Sequence, residues 1–157
     1  MFVKIYKIQD DDDVIFYLGK LLEKIITKQK IGILCNEENI AEIDKRLWTF
    51  SKGAFLPHSI QGQGNEERQP IILYQTSNNV DCDFMCVLSQ EDVLTLADIL
   101  KKKEEKTPSS EPKTIVFFSN KKNDFNDLIT NLQNNFKADV ELFIKTKSSW
   151  EKQNLLY

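Results

Sequence analysis

The hydrophobic positions of this chain change period several times, and each change marks an element. Phe2, Lys4, Tyr6 and Ile8 alternate with Val3, Ile5 and Lys7, the two-residue period of a strand. From Val14 the period lengthens: Val14, Ile15, Leu18, Leu21, Leu22, Ile25 and Ile26 recur at three- and four-residue spacing and predict a helix with one buried stripe. Ile31 to Cys35 is a short continuous apolar run, as in a parallel strand buried on both faces. Ile40, Ile43 and Leu47 define one face of a second helix, with Asn36 as its N-cap and Trp48 at its end. Strands follow at Pro70–Tyr74 and Phe84–Leu88. Val93, Leu94, Leu96, Ala97 and Leu100 form the buried face of a third helix, capped by Ser89 with Glu91 and Asp92 in its first turn. Thr114–Phe118 is a β run. Phe125, Leu128, Ile129, Leu132 and Phe136 mark a fourth helix capped by Asn123 or Asp124. In a last strand, Asp139–Lys145, Val140, Leu142 and Ile144 alternate against Glu141, Phe143 and Lys145. This order predicts one α/β domain spanning residues 1–157, with about six strands and four helices and a predominantly parallel sheet.

The connectors differ in character. Asp10 to Asp13 read as capping and first-turn acids, since carboxylates there meet free amides and the helix dipole, whereas a hard-cation site needs ligands from several directions. Lys101–Pro112 has no large apolar residue and two prolines. It buries nothing to offset its ordering entropy and is expected to be a frayed helix end and a mobile charged loop. The connector from Trp48 to Gly64 is the opposite. It gathers Trp48, Phe55, Leu56, Pro57 and the single histidine, His58, before Gly62 and Gly64. A solvated loop needs no such residues. They read as inward-packed core or as an apolar patch for a partner, the composition of an interaction hot spot.

Composition narrows the classes. The 157 residues are 41% hydrophobic and 29% charged, as expected of a soluble globular domain, and the net charge of -3 argues against non-specific binding to nucleic acid as the main task. No run approaches the length of a membrane span, and the N-terminus lacks a signal-peptide cleavage pattern. Cys35, Cys82 and Cys86 are an odd set and read as free thiols in a reducing cytoplasm.

Candidate chemistry is thin. Gly62-Gln-Gly64 lacks the third glycine of a dinucleotide fingerprint and does not lie between the first strand and first helix, so the two read as turn glycines. Cys82 and Cys86 lack the further ligands a zinc site needs. Cys35 ends a strand where α/β active sites often sit. One reading therefore makes the chain a small α/β enzyme or nucleotide-binding protein that uses Cys35 and His58 at the sheet's C-terminal edge, with a pocket joining them. A binding module carrying its patch at Trp48 is a second reading. A domain without a partner, with Trp48 fully buried, is a third.

Asp44-Lys45-Arg46-Leu47-Trp48, then Phe55-Leu56-Pro57-His58 and Gly62 with Gly64, resemble the chi subunit of the bacterial DNA polymerase III holoenzyme. The order of elements, the strand ending at Cys35 and Trp150 near the C-terminus extend the resemblance over nearly the whole chain. It implies a single Rossmann-like α/β domain with helices on both faces, no nucleotide site and no catalysis. It implies a bacterial cytoplasmic adaptor linking the clamp loader to single-stranded-DNA-binding protein, with no cofactor, no metal, no membrane contact and only indirect contact with nucleic acid. Trp48, Phe55, Leu56, Pro57 and His58 would form the surface for the psi subunit or another clamp-loader component, and in some bacteria for a helicase. The acidic, phenylalanine-ended tail of single-stranded-DNA-binding protein would bind a basic groove on the last helix. Here that helix carries asparagine and threonine instead of lysine and arginine, which leaves Lys137, Lys145, Lys147 and Trp150 to supply the site.

Overall fold

A computed structural model describes residues 1–9, 13–26, 29–50, 56–76, 80, 82–104, 114–121 and 124–155. Expectations for Asp10–Asp12, Phe55, residues 77–79, Asp81, residues 105–112 and Asn123 fall outside them.

The elements in chain order are β1 (Phe2–Lys7), α1 (Val14–Ile25), β2 (Ile31–Leu34), α2 (Ile40–Trp48), β3 (His58–Ile60), a 3-10 turn (Glu66–Arg68), β4 (Ile71–Tyr74), β5 (Phe84–Val87), α3 (Gln90–Glu104), β6 (Thr114–Ser119), α4 (Asn126–Phe136), β7 (Asp139–Lys145) and β8 (Trp150–Gln153). They build one eight-stranded sheet in the order β3-β4-β2-β5-β6-β1-β7-β8. All neighbours are parallel except β7 and β8, which form an antiparallel pair. The fold is therefore the expected mostly parallel, Rossmann-like α/β sheet.

Two core layers follow from the strand pleat. Leu18 and Leu22 of α1 and Ile43 and Leu47 of α2 pack with Ile31, Ile33, Leu73, Val116 and Phe118. Leu96 and Leu100 of α3 and Leu128 and Leu132 of α4 pack on the other face with Val3, Ile5, Met85, Ile115 and Val140. The helices thus cover both faces, and each packs its expected apolar stripe against the sheet.

Local chemistry sets the boundaries. Asp13 caps α1, accepting from the amides of Ile15 at 3.0 Å and Phe16 at 3.3 Å. Its carboxylate also holds Arg46 of α2. That hydrogen bond, together with the amides of α1, keeps the Asp13 carboxyl below its usual range. Ser89 caps α3 through the amide of Asp92 at 3.1 Å. Asn36 does not cap α2 directly. It accepts from the amides of Glu38 and Asn39 while Asn39 accepts from its own amide, so the pair closes a turn and the helix starts at Ile40.

Two strands go beyond the expected six. Both β3 and β8 are edges of the sheet, short and polar on one side, and edge strands need no continuous apolar run. At the start of the Lys101–Pro112 segment, residues 101–104 complete α3. Lys101 donates to the carbonyl of Asn135 at 2.7 Å and lies over the Phe136 ring, tying α3 to α4.

Candidate partner-binding surfaces

The first surface is built at the end of α2. Leu47 is fully buried and anchors the last turn, while Trp48, the next residue, points out and is 54% exposed. The chain then comes straight back: the amide of Leu56 donates to the carbonyl of Leu47 at 3.0 Å, closing a helix end that would otherwise leave a bare carbonyl. Leu56 is 6% exposed and His58 7% exposed. The His58 ring lies with Nδ1 2.6 Å from the Leu56 carbonyl and Nε2 2.8 Å from Oδ1 of Asp44, one turn before Trp48 on α2. The two contacts fix the ring, and Trp48 leans on it edge-on with centroids 5.2 Å apart. Both ring nitrogens of His58 are matched, and the indole stands on a polar frame.

Trp48 is thus neither core nor fully buried, contrary to the burial expected of a domain without a partner. Leu56 and His58 support the patch from beneath. Pro57 is half-buried beside them.

His58 and Cys35 do not meet. His58 is in register with Ile71 of β4, and Ile71 with Ile31 of β2. Cys35 lies four residues further along and two strands across, roughly 16 Å from His58 by strand geometry. Burial pushes the Cys35 thiol up to about 12, so it is not a ready nucleophile. The expectation of a shared site at the sheet's C-terminal edge is corrected: His58 belongs to the opposite end. The concavity beside Cys35 is lined instead by Asn36, Asn39, Gln75, Ser89, Glu91 and Asp92. Cys82 and Cys86 are buried thiols in the core. Gly62 and Gly64 adopt φ of 87° and 88° in the turn after β3, which explains glycine at both positions.

The second surface lies at the other end of the sheet. Tyr6, Phe118 and Phe143 are register partners on β1, β6 and β7, and their rings stack at 5.0 and 4.9 Å. Trp150 on β8 meets Tyr6 edge-on at 5.1 Å and Tyr17 of α1 at 5.8 Å. The rings and Leu21 enclose a cavity of about 220 Å³, with Lys20 and Lys24 of α1 also lining it. Lys145 lies over the Trp150 ring at 5.9 Å.

Of the residues expected to bind an acidic tail, Lys145 and Trp150 stand together at this end, with exposed Lys147 in the turn between their strands. Lys137 does not join them. It ends α4, before β7 begins, at the far end of that strand from Lys145. Sequence reasoning missed Tyr6, Tyr17, Lys20 and Lys24; the signal available was an aromatic in both the first strand and first helix, with lysines on the same helix.

Such a sheet, mostly parallel with helices on both faces, defines a class: a small Rossmann-like α/β protein. Its family is more specific. Residues 1–110 match the family described as DNA polymerase III chi subunit, HolC, and the chain belongs to that family. It is an accessory subunit of DNA polymerase III, of a family that is non-catalytic within that complex. The match takes in β1 to α3 and stops before β6, so Phe118, Phe143 and Trp150 lie outside it. No curated protein matches the chain.

Proposed function

We propose that this subunit is a two-ended adaptor of bacterial DNA replication in the cytoplasm. One end binds a component of the clamp loader, either psi or a protein in its place, and the other end binds the tail of single-stranded-DNA-binding protein. The observation that carries this reading is Trp48: a large indole, more than half exposed, held on the frame of Asp44, His58 and Leu56. An aromatic fixed in this way loses little freedom when a partner covers it, which is the property of an interface anchor. Pro57 extends the same surface, and Phe55 is its expected neighbour in sequence. A helicase is a further candidate for this patch.

The two ends are far enough apart to serve two partners. β3 and β7 are six strand spacings apart in the sheet order, roughly 30 Å at ~4.8 Å each. The test is capture of clamp-loader components by the full chain and by Trp48→Ala. Loss of capture with unchanged melting supports the reading. Capture that is indifferent to Trp48→Ala removes this patch from it.

A further inference from the structure

We infer that His58 is held as a doubly protonated imidazolium and that its second proton latches the Trp48 surface, which is ordered while the proton is present and loosens when it leaves. The latch is a property of the free subunit; that its release governs a partner rests on the adaptor reading.

Hydrogen-bond donors decide the charge on the ring. A neutral imidazole has one N–H and one bare nitrogen, so it needs one acceptor and one donor around it. His58 meets two acceptors. Nδ1 lies 2.6 Å from the Leu56 carbonyl, and Nε2 lies 2.8 Å from Oδ1 of Asp44. With one proton on the ring, whichever nitrogen is bare faces an oxygen lone pair at hydrogen-bond distance. With two, both contacts are hydrogen bonds, and the one to Asp44 is also an ion pair. A carboxylate is a much weaker base than imidazole, so the ring rather than Asp44 keeps the proton.

The surroundings offer no substitute donor. The His58 side chain is 1% exposed, which leaves bulk water no access to a bare nitrogen. From α2 the ring meets Asp44 and Trp48; from β4 its register partner is Ile71, which carries no charge. Arg46, two residues beyond Asp44, is turned to Asp13 at the start of α1. Asp44 is thus the charged group bonded to the ring among the described residues.

Three pieces meet at this ring. Asp44 brings the end of α2, Leu56 brings the returning chain whose amide closes that helix on Leu47, and the Trp48 indole rests against it at 5.2 Å. Loss of the proton breaks one of the two hydrogen bonds and sets a bare nitrogen against an oxygen in a buried place, where an unmet polar group is most costly. The bonded form is the protonated one. The order of the surface is therefore present on the acid side and is lost as pH rises.

The chain has one histidine, so its ring nitrogens are identified without ambiguity in the isotope-labelled full chain. The test follows them and the Trp48 indole resonance from about pH 5 to about pH 8, the interval in which histidine changes charge, in the wild type and in Asp44→Asn. Asparagine can turn its amide donor to Nε2 and so match a neutral ring without the second proton. The wild type should show two ring N–H groups at the acid end and one at the alkaline end, with the Trp48 signal moving at the same midpoint. In Asp44→Asn the ring should carry one proton, on Nδ1, and the Trp48 signal should not follow pH. Capture of clamp-loader components by the wild type should weaken about tenfold over the same range, with no such trend in the variant. A ring with a single proton throughout, a ring cationic throughout, a change of charge that leaves Trp48 unmoved, or a variant that follows pH as the wild type does overturns the latch. Capture indifferent to pH while Trp48 moves overturns its control of the partner. Capture that fails at every pH, with the free subunit behaving as expected, removes the adaptor reading and leaves the latch standing.

Discussion

The two ends of the sheet use the same kind of side chain in opposite ways. At the β3 end an aromatic projects: Trp48 stands out from α2, and a polar frame of Asp44, His58 and the Leu56 carbonyl holds it. At the β8 end the aromatics recede: Phe118 is 2% exposed, Tyr6 is half-buried, and together with Phe143 and Trp150 they enclose a cavity. The difference comes from helix coverage. α1 and α2 both lie on the face that carries these rings, packed with strands from β4 to β6. β7 and β8 lie beyond β1 at the end of the sheet, with α4 against β7 on the opposite face. Where a helix seals the layer, the next surface aromatic must point outward. Where it does not, the rings shield one another and leave a gap. A protruding anchor suits a partner that supplies a pocket, and a recess suits a partner that supplies the anchor.

This contrast can be broken at several points. The largest effect is expected at Phe118→Ala, which empties a buried ring and should cost about 3–5 kcal/mol of unfolding free energy, measured by denaturant titration. A much smaller loss would mean that the ring row is not part of the core. Trp48→Ala should do the reverse: about 2 kcal/mol or more of clamp-loader partner binding is lost while the midpoint of thermal unfolding barely moves. If instead the domain unfolds, Trp48 is structural. His58→Ala sits between the two. It deprives Asp44 and the Leu56 carbonyl of their partner and should cost about 1–3 kcal/mol of stability, weakening partner binding through the frame. Unchanged stability and binding would show that the frame is not needed.

The smallest effect concerns the tie between α1 and α2. Arg46 and the amides of α1 lower the Asp13 carboxyl, so its contribution is present above the unfolded pKa of about 4 and is lost as pH falls through the lower folded value. Asp13→Asn keeps a good cap but removes the charge. The stability gap between wild type and this variant should therefore be widest near neutral pH, stay within the ~1 kcal/mol of an exposed pair, and close in acid. A gap independent of pH would assign the effect to capping alone.

Much of this was legible in the chain, and the reasons for the misses are physical. The four helices and six inner strands declare themselves because buried stripes impose a period on the sequence. β3 and β8 do not: His58-Ser-Ile60 and Trp150-Glu-Lys-Gln153 are edges with little to bury. Pairing Cys35 with His58 failed because register is a long-range property. Only the alignment of β3 with β4 and β2 shows that the two lie at opposite ends. The Trp48 surface was visible as an unusual density of aromatics and proline in a connector. The cavity was not visible, since Lys20 and Lys24 look like the ordinary solvated face of a helix until β8 folds Trp150 against Tyr17. Lys137, Lys145 and Lys147 lie close in sequence, but the seven-residue strand β7 carries Lys145 to the end away from Lys137.

The central claim is that the two ends work at once and independently. It is tested most directly by calorimetric titration of the tail peptide of single-stranded-DNA-binding protein into the free subunit and into the subunit already bound to its clamp-loader partner. The account predicts the same affinity in both titrations, with Trp48→Ala removing the partner alone. Competition between the two ligands, or loss of both to Trp48→Ala, would contradict it.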